Sequence, residues 1–109
     1  MFEINKYRDE LTDLLNNNAV IDKMYIFGSA FTTKFNDIKS DIDVLVETSD
    51  ISPEEKGENL ISLWDSLEKI FNRKVDLLTN NSLHNPVLKR EIELTKKLIY
   101  DKQSRKIFI

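Results

Sequence analysis

Two short runs constrain this chain more than anything else in it: Phe27-Gly28-Ser29 and, eleven positions on from Ser29, Ser40-Asp41-Ile42-Asp43-Val44-Leu45-Val46. In the second run acid and aliphatic residues alternate. Side chains on a strand alternate faces, so Asp41 and Asp43 share one side while Ile42, Val44 and Val46 take the other. Such a strand must pack a core on one face and reserve the opposite face for water, a cation or a ligand. In the first run, the apolar stretch from Met24 to Phe27 stops at a Gly-Ser pair. That is a strand ending in a turn, whose backbone N–H groups are predicted to face an anion.

The rest of the chain supplies cover for those strands. Ile4, Tyr7, Leu11, Leu14 and Leu15 have helical spacing, giving an amphipathic helix over 3–17 that the asparagines after residue 15 break. Residues 21–27 form the first strand, Ser29 to about Lys34 a short helix, 36–40 a polar loop, and 41–47 the second strand. Ser52-Pro53-Glu54-Glu55 combines an N-cap serine, a proline at the first helical position and a glutamate three beyond the cap. The helix it starts carries Leu60, Leu63, Trp64, Leu67, Ile70 and Phe71 as its apolar stripe, with Trp64 and Phe71 expected in the core. Lys74 to Thr79 reads as a third strand. Asn85-Pro86 then starts a last helix with Leu88, Ile92, Thr95 and Ile99 down one side. The tail from Asp101, with Lys102, Arg105 and Lys106, has no assigned state.

This order predicts an α/β (α+β) chain, with a small mixed sheet covered by helices mainly on one face. The short link between the first two strands favours an antiparallel pair, and the helical link between the second and third a parallel crossover. The end of the first strand and the starts of the other two therefore meet, collecting Gly28, Ser29, Asp41, Asp43 and Asp76. Asp76 could face the core or that shared edge; the edge is the expectation.

Length and composition narrow the rest. The 109 residues suit a single domain over 1–109. With 16 Lys plus Arg against 19 Asp plus Glu, nucleic acid is a poor candidate for the main partner. No apolar run reaches membrane-spanning length, no signal peptide opens the chain, and cysteine is absent, which together lead to a cytoplasmic assignment.

Three carboxylates at one point repel unless cations neutralise them, and hard oxygen ligands select Mg²⁺ or Mn²⁺. Two such ions clamp the attacking and leaving oxygens of an in-line phosphoryl displacement. With Gly28 and Ser29 gripping a triphosphate, the combination implies nucleotidyl transfer: Asp41 and Asp43 on the metals that hold the triphosphate, Asp76 nearest the acceptor hydroxyl. Each residue alone has a plainer reading, as turn, strand entrance or exposed strand residue. The joint pattern is what favours the site. His84, the only histidine, reads as a loop residue, and the lysines near the C-terminus as a solvated face or a partner contact.

Phe27-Gly28-Ser29, the Ser40-Asp41-Ile42-Asp43 spacing, Lys74-Val75-Asp76-Leu77-Leu78-Thr79 and Asn85-Pro86 through Tyr100 resemble the minimal nucleotidyltransferase (MNT) family of the DNA polymerase β-like superfamily. The resemblance implies a polymerase β palm-like fold and Mg²⁺-dependent transfer of a nucleoside monophosphate, AMP from ATP, onto a partner protein's hydroxyl. It also implies an antitoxin that neutralises a HEPN ribonuclease toxin. The residues it marks are Gly28, Ser29, Asp41, Asp43 and Asp76. Many family members follow Gly-Ser with Arg-Ala-Arg-Gly, whereas Ala30-Phe31-Thr32-Thr33 stands here. Lys34 or Lys39 is the expected replacement for that positive charge. The missing arginines leave a second reading open, a catalytically weak module that restrains its partner by contact.

Overall fold

The computed structural model describes residues 1–36, 39–80, 83–104 and 106–108. A 3₁₀ turn, Ile4–Tyr7, leads into helix α1, Arg8–Asn16, and then strand β1, Ile21–Phe27. Strand β2, Ile42–Thr48, is followed by helix α2, Pro53–Phe71, and strand β3, Val75–Thr79. Helix α3, Pro86–Thr95, precedes two last strands, β4, Lys97–Asp101, and β5, Lys106–Ile107. The five strands lie in the order β3-β2-β1-β4-β5, with β1–β2 antiparallel and β2–β3 parallel. The sheet is mixed, as the link lengths required.

The starts of α2 and α3 are capped as the sequence dictates. Ser52 Oγ accepts from Glu55 N–H at 3.3 Å, and Asn85 Oδ1 accepts from the N–H groups of Val87 and Leu88. Each cap satisfies amides that the first turn leaves without partners, worth about 1 kcal/mol. At its far end α2 stops at Asn72, which takes the left-handed conformation (φ +52) that an asparagine tolerates.

The main core lies on one face of the sheet. Met24 and Ile26 of β1, Ile42, Val44 and Val46 of β2, and Val75 of β3 pack against Leu11, Leu15, Leu63, Leu67 and Phe71. On the opposite face α3 covers a much smaller cluster of Phe27, Leu45 and Ile92, flanked by Tyr25, Leu78 and Leu88. Helices therefore cover mainly one face.

Three expectations fail, each for a local reason. Ser29 to Lys34 forms turns and not a helix. Thr32 Oγ1 donates to the Ser29 carbonyl at 2.8 Å and accepts from Lys34 N–H, offering the backbone an alternative to helical bonding. The last helix ends at Thr95, so Ile99 lies on β4 and not in the helical stripe. There Leu98, Ile99 and Tyr100, strand-prone residues, cover the edge of β1 that would otherwise lack a partner. The tail adds β5 to that new edge, while Arg105 lies outside the described residues. Trp64 is the third: it is 46% exposed, whereas Phe71 is buried as expected. Its Nε1 donates to the Val75 carbonyl at 2.7 Å, so the indole wraps over the outer edge of β3. Among the described residues, no helix is long and apolar enough to cross a membrane.

Candidate active site

β1 delivers its chain end to β2. Gly28 follows Phe27 at φ +73, a conformation that disfavours any side chain. A Cβ there would lie 2.6 Å from Asp43 Oδ2, so the glycine backbone also has to pass directly beneath that carboxylate. The Gly-Ser corner and the acidic strand are thus in contact. One expectation is corrected here. The Gly28 N–H is not open to an anion, because it donates to Thr95 Oγ1 at 3.0 Å, while that hydroxyl donates to the Glu91 carbonyl at 2.8 Å. Ser29 engages the loop through its carbonyl, which accepts from Thr32, and its hydroxyl makes no hydrogen bond among the described residues.

The parallel register of β2 and β3 sets Asp43 beside Asp76. Both alternate out of the main core, since their neighbours Ile42, Val44 and Val75 are buried in it. Asp41, exposed, sits just before β2. The half-buried Asp43 carboxyl is pushed up to about 6, first by burial, then by the charge of Asp76 and a hydrogen bond with it, then by Asp41 and Glu91. Every charge acting on it is acidic. Below that value Asp43 and Asp76 can share a proton; above it they repel, and a cation would relieve them.

Hard oxygen donors of this kind suit Mg²⁺. Asp43 and Asp76 form the close pair, with Asp41 acting from further off. Among the described residues, no group of three or more His, Cys, Asp or Glu is already gathered tightly enough to hold an ion.

The loop into Asp41 is anchored from the core side. Arg73 Nη1 donates to the Ser40 carbonyl at 3.1 Å while its guanidinium lies 5.0 Å from the Phe35 ring centre and 5.8 Å from that of Phe2. Ile42 N–H donates to the Lys74 carbonyl at 3.0 Å. Lys34 and Lys39 are exposed, and their backbone N–H groups donate to Thr32 Oγ1 and Asn36 Oδ1. Further along, Lys96 lies over the Tyr25 ring and pairs with Glu93, Lys97 lies over Phe31, and Lys102 Nζ donates to the Ala19 carbonyl. Much of the basic C-terminal cluster is therefore spent within the chain. His84 is exposed in the loop before α3.

Beside the acid pair opens a cleft of about 390 Å³, lined by Asp43, Asp76 and Glu91 and by Phe27, Trp64, Leu78 and Leu88. Glu91 and Thr95 belong to this site, and sequence reasoning did not find their roles. Thr95 lies on the helical stripe with Leu88 and Ile92, which indicates the face it occupies but not the amide it meets. Nothing in the sequence marks Glu91.

Residues 9–105 match the family described as Polymerase beta, Nucleotidyltransferase. Two Methanocaldococcus jannaschii proteins, named "Putative protein adenylyltransferase" MJ1379 and MJ1217, are 37% and 36% identical to this chain over 87 residues, covering 80% of it and 83% of each relative. Among solved structures, a complex described as a tri-AMPylated Shewanella oneidensis HEPN toxin with an MNT antitoxin superposes with a TM-score of 0.54. It is 22% identical and covers 94% of this chain and 76% of that one. A toxin-antitoxin structure with AMP-PNP gives 0.55 at 24% identity, over 89% and 76%. At these identities the likeness shows the fold.

Proposed function

The chain belongs to the polymerase β nucleotidyltransferase family, and from that premise we propose that it moves AMP from ATP onto a hydroxyl of a HEPN-domain toxin, acting as its antitoxin in the cytoplasm. The observation that carries the reading is the acid pair Asp43–Asp76, held in register and in contact with the Gly28-Ser29 corner. The names of the M. jannaschii relatives support the protein acceptor, and the AMPylated HEPN complex supports the partner.

Two Mg²⁺ ions on Asp41, Asp43 and Asp76 would offset the triphosphate's charge and that of the departing pyrophosphate. Ser29 receives the triphosphate through its hydroxyl, and Lys34 is the nearest cation in sequence to assist it. The acceptor oxygen attacks the α-phosphorus as the bond to the β-phosphate bridging oxygen breaks, so pyrophosphate leaves and AMP stays on the acceptor. Asp76, on the outer strand, takes the acceptor's proton.

The alternative, neutralisation by contact alone, draws on the missing arginines and on the Gly28 N–H already held by Thr95. Labelled ATP, Mg²⁺ and the product of the neighbouring gene separate the two. Label on the partner that Asp41→Asn/Asp43→Asn abolishes supports transfer; a stable unlabelled complex supports contact. Unaltered triphosphate affinity in Lys34→Ala/Lys39→Ala would remove those lysines from the phosphate grip.

A further inference from the structure

Asp41 is the one member of the acid trio that strand pairing does not place. Asp43 and Asp76 stand side by side through the β2–β3 register, whereas Asp41 is exposed and precedes β2. Its position is set by the backbone on either side of it, and one short connection, that between α2 and β3, holds both sides. The Ser40 carbonyl accepts from Arg73 Nη1 at 3.1 Å, and the Ile42 N–H donates to the Lys74 carbonyl at 3.0 Å. Asp76 follows two residues after Lys74. The stretch from Arg73 to Asp76 therefore carries one carboxylate and grips the chain before and after another.

Of the two grips, the one from Lys74 is backbone and continues the sheet ladder, while the one from Arg73 is made by a side chain. Ser40 is also bonded to Asn36: its N–H donates to the Asn36 carbonyl at 2.9 Å, and its hydroxyl accepts from the Asn36 N–H at 2.8 Å. Those bonds close the loop on itself without tying it to β3. Arg73 supplies that tie from a rigid base. Its guanidinium lies within cation–π reach of the buried Phe2 and Phe35 rings, and Phe2 in turn meets Phe71 edge-on at 5.2 Å. A planar fork held between rings and a carbonyl has a direction that a flexible ammonium lacks. Its charge is not what the acids respond to, since those acting on Asp43 are Asp76, Asp41 and Glu91.

We infer that Arg73 is a positioning residue for the metal site, holding Ser40 so that Asp41 joins Asp43 and Asp76 as a ligand. That role rests on the transfer reading for what the ions accomplish, but metal alone tests it. Mn²⁺, a hard cation whose free fraction is read from its EPR signal, is the probe, with no nucleotide present. Arg73→Met keeps the aliphatic stem and loses the donors; Arg73→Lys keeps the charge and loses the fork.

Each Arg73 variant should weaken Mn²⁺ binding about tenfold, the scale on which residues behind metal ligands act. Asp41→Asn should lose at least as much, and adding Arg73→Met to it should cost nothing further, because the ligand that Arg73 positions is already gone. A general loosening of the fold would instead weaken the remaining Asp43–Asp76 pair in the Asp41→Asn background as well. Additive losses, parent-like affinity in either Arg73 variant, no Mn²⁺ uptake by the parent, or failure of both Arg73 variants to fold would overturn the assignment. Coupled losses of Mn²⁺ in a protein that transfers no AMP would leave the role of Arg73 standing and defeat the transfer reading instead.

Discussion

The same strands make two unlike faces. Toward α1 and α2 the sheet presents Met24, Ile26, Ile42, Val44, Val46 and Val75, all buried among leucines and Phe71. Toward α3 it presents Phe27 and Leu45, and beside them Asp43 and Asp76, whose charges oppose each other. One residue of register separates Ile42 from Asp43 and Val75 from Asp76. Alternation lets a short strand hold the fold with one side while the other side keeps an arrangement that costs stability and is useful only to a ligand. Substitutions on the two faces should therefore differ in what they damage and, in one case, in sign.

The largest loss of stability belongs to the packed face. Leu67→Ala empties a fully buried position and should cost about 2–5 kcal/mol. A urea melt reads this as a lower midpoint at unchanged slope. Where the variant is folded, its affinity for ATP should match the parent's. A specific loss of nucleotide binding would break the division between faces.

Gly28→Ala strikes the other face. The methyl group would sit 2.6 Å from Asp43 Oδ2 at φ +73, so backbone strain of about 1–2 kcal/mol adds to a displaced carboxylate. Transfer should fall about a hundredfold, the scale reached when reacting groups move by about 1 Å. A fully active alanine variant would mean that Asp43 does not need its place over the corner.

Most of this division is visible in the sequence, because it rests on local rules. Ser52-Pro53 and Asn85-Pro86 announce their helices through caps, and the Asp41 to Val46 alternation announces which residues share a face. What stays hidden depends on contacts distant in sequence. Ile99 continues a helical spacing from Ile92, yet the open edge of β1 draws it into β4. Trp64 fits the α2 stripe as well as Leu63 or Leu67, and only the position of β3 at the sheet edge shows that it caps a carbonyl beside the cleft. Thr95 meets Gly28 across 67 residues. No local pattern encodes such a pairing.

That last contact gives a smaller effect. Thr95→Val keeps the shape but removes the acceptor for the Gly28 N–H, which should cost about 1–2 kcal/mol. Hydrogen exchange at the Gly28 amide should accelerate in the valine variant and stay slow in Thr95→Ser, which keeps the hydroxyl. Equal exchange in all three would show that α3 does not hold the corner.

The smallest effect has the opposite sign. The Asp43 carboxyl is raised from its ordinary 3.8 to about 6, so the fold favours its protonated form. That contribution is complete below pH 3.8 and is lost as pH rises through 6; at neutral pH the ionised carboxylate only repels Asp76. A shift of this size would amount to about 3 kcal/mol for a fully buried group. Half-buried and screened by water, Asp43 should account for about 1 kcal/mol. Asp43→Asn should therefore be more stable than the parent by about that amount at pH 7, and the advantage should disappear near pH 4. Mg²⁺ should raise the melting temperature of the parent and leave the variant nearly unmoved, since a cation and an amide relieve the same repulsion. If the two proteins melt alike across pH 4–7, the acid pair stores no repulsion, and the second face differs from the first only in what it buries.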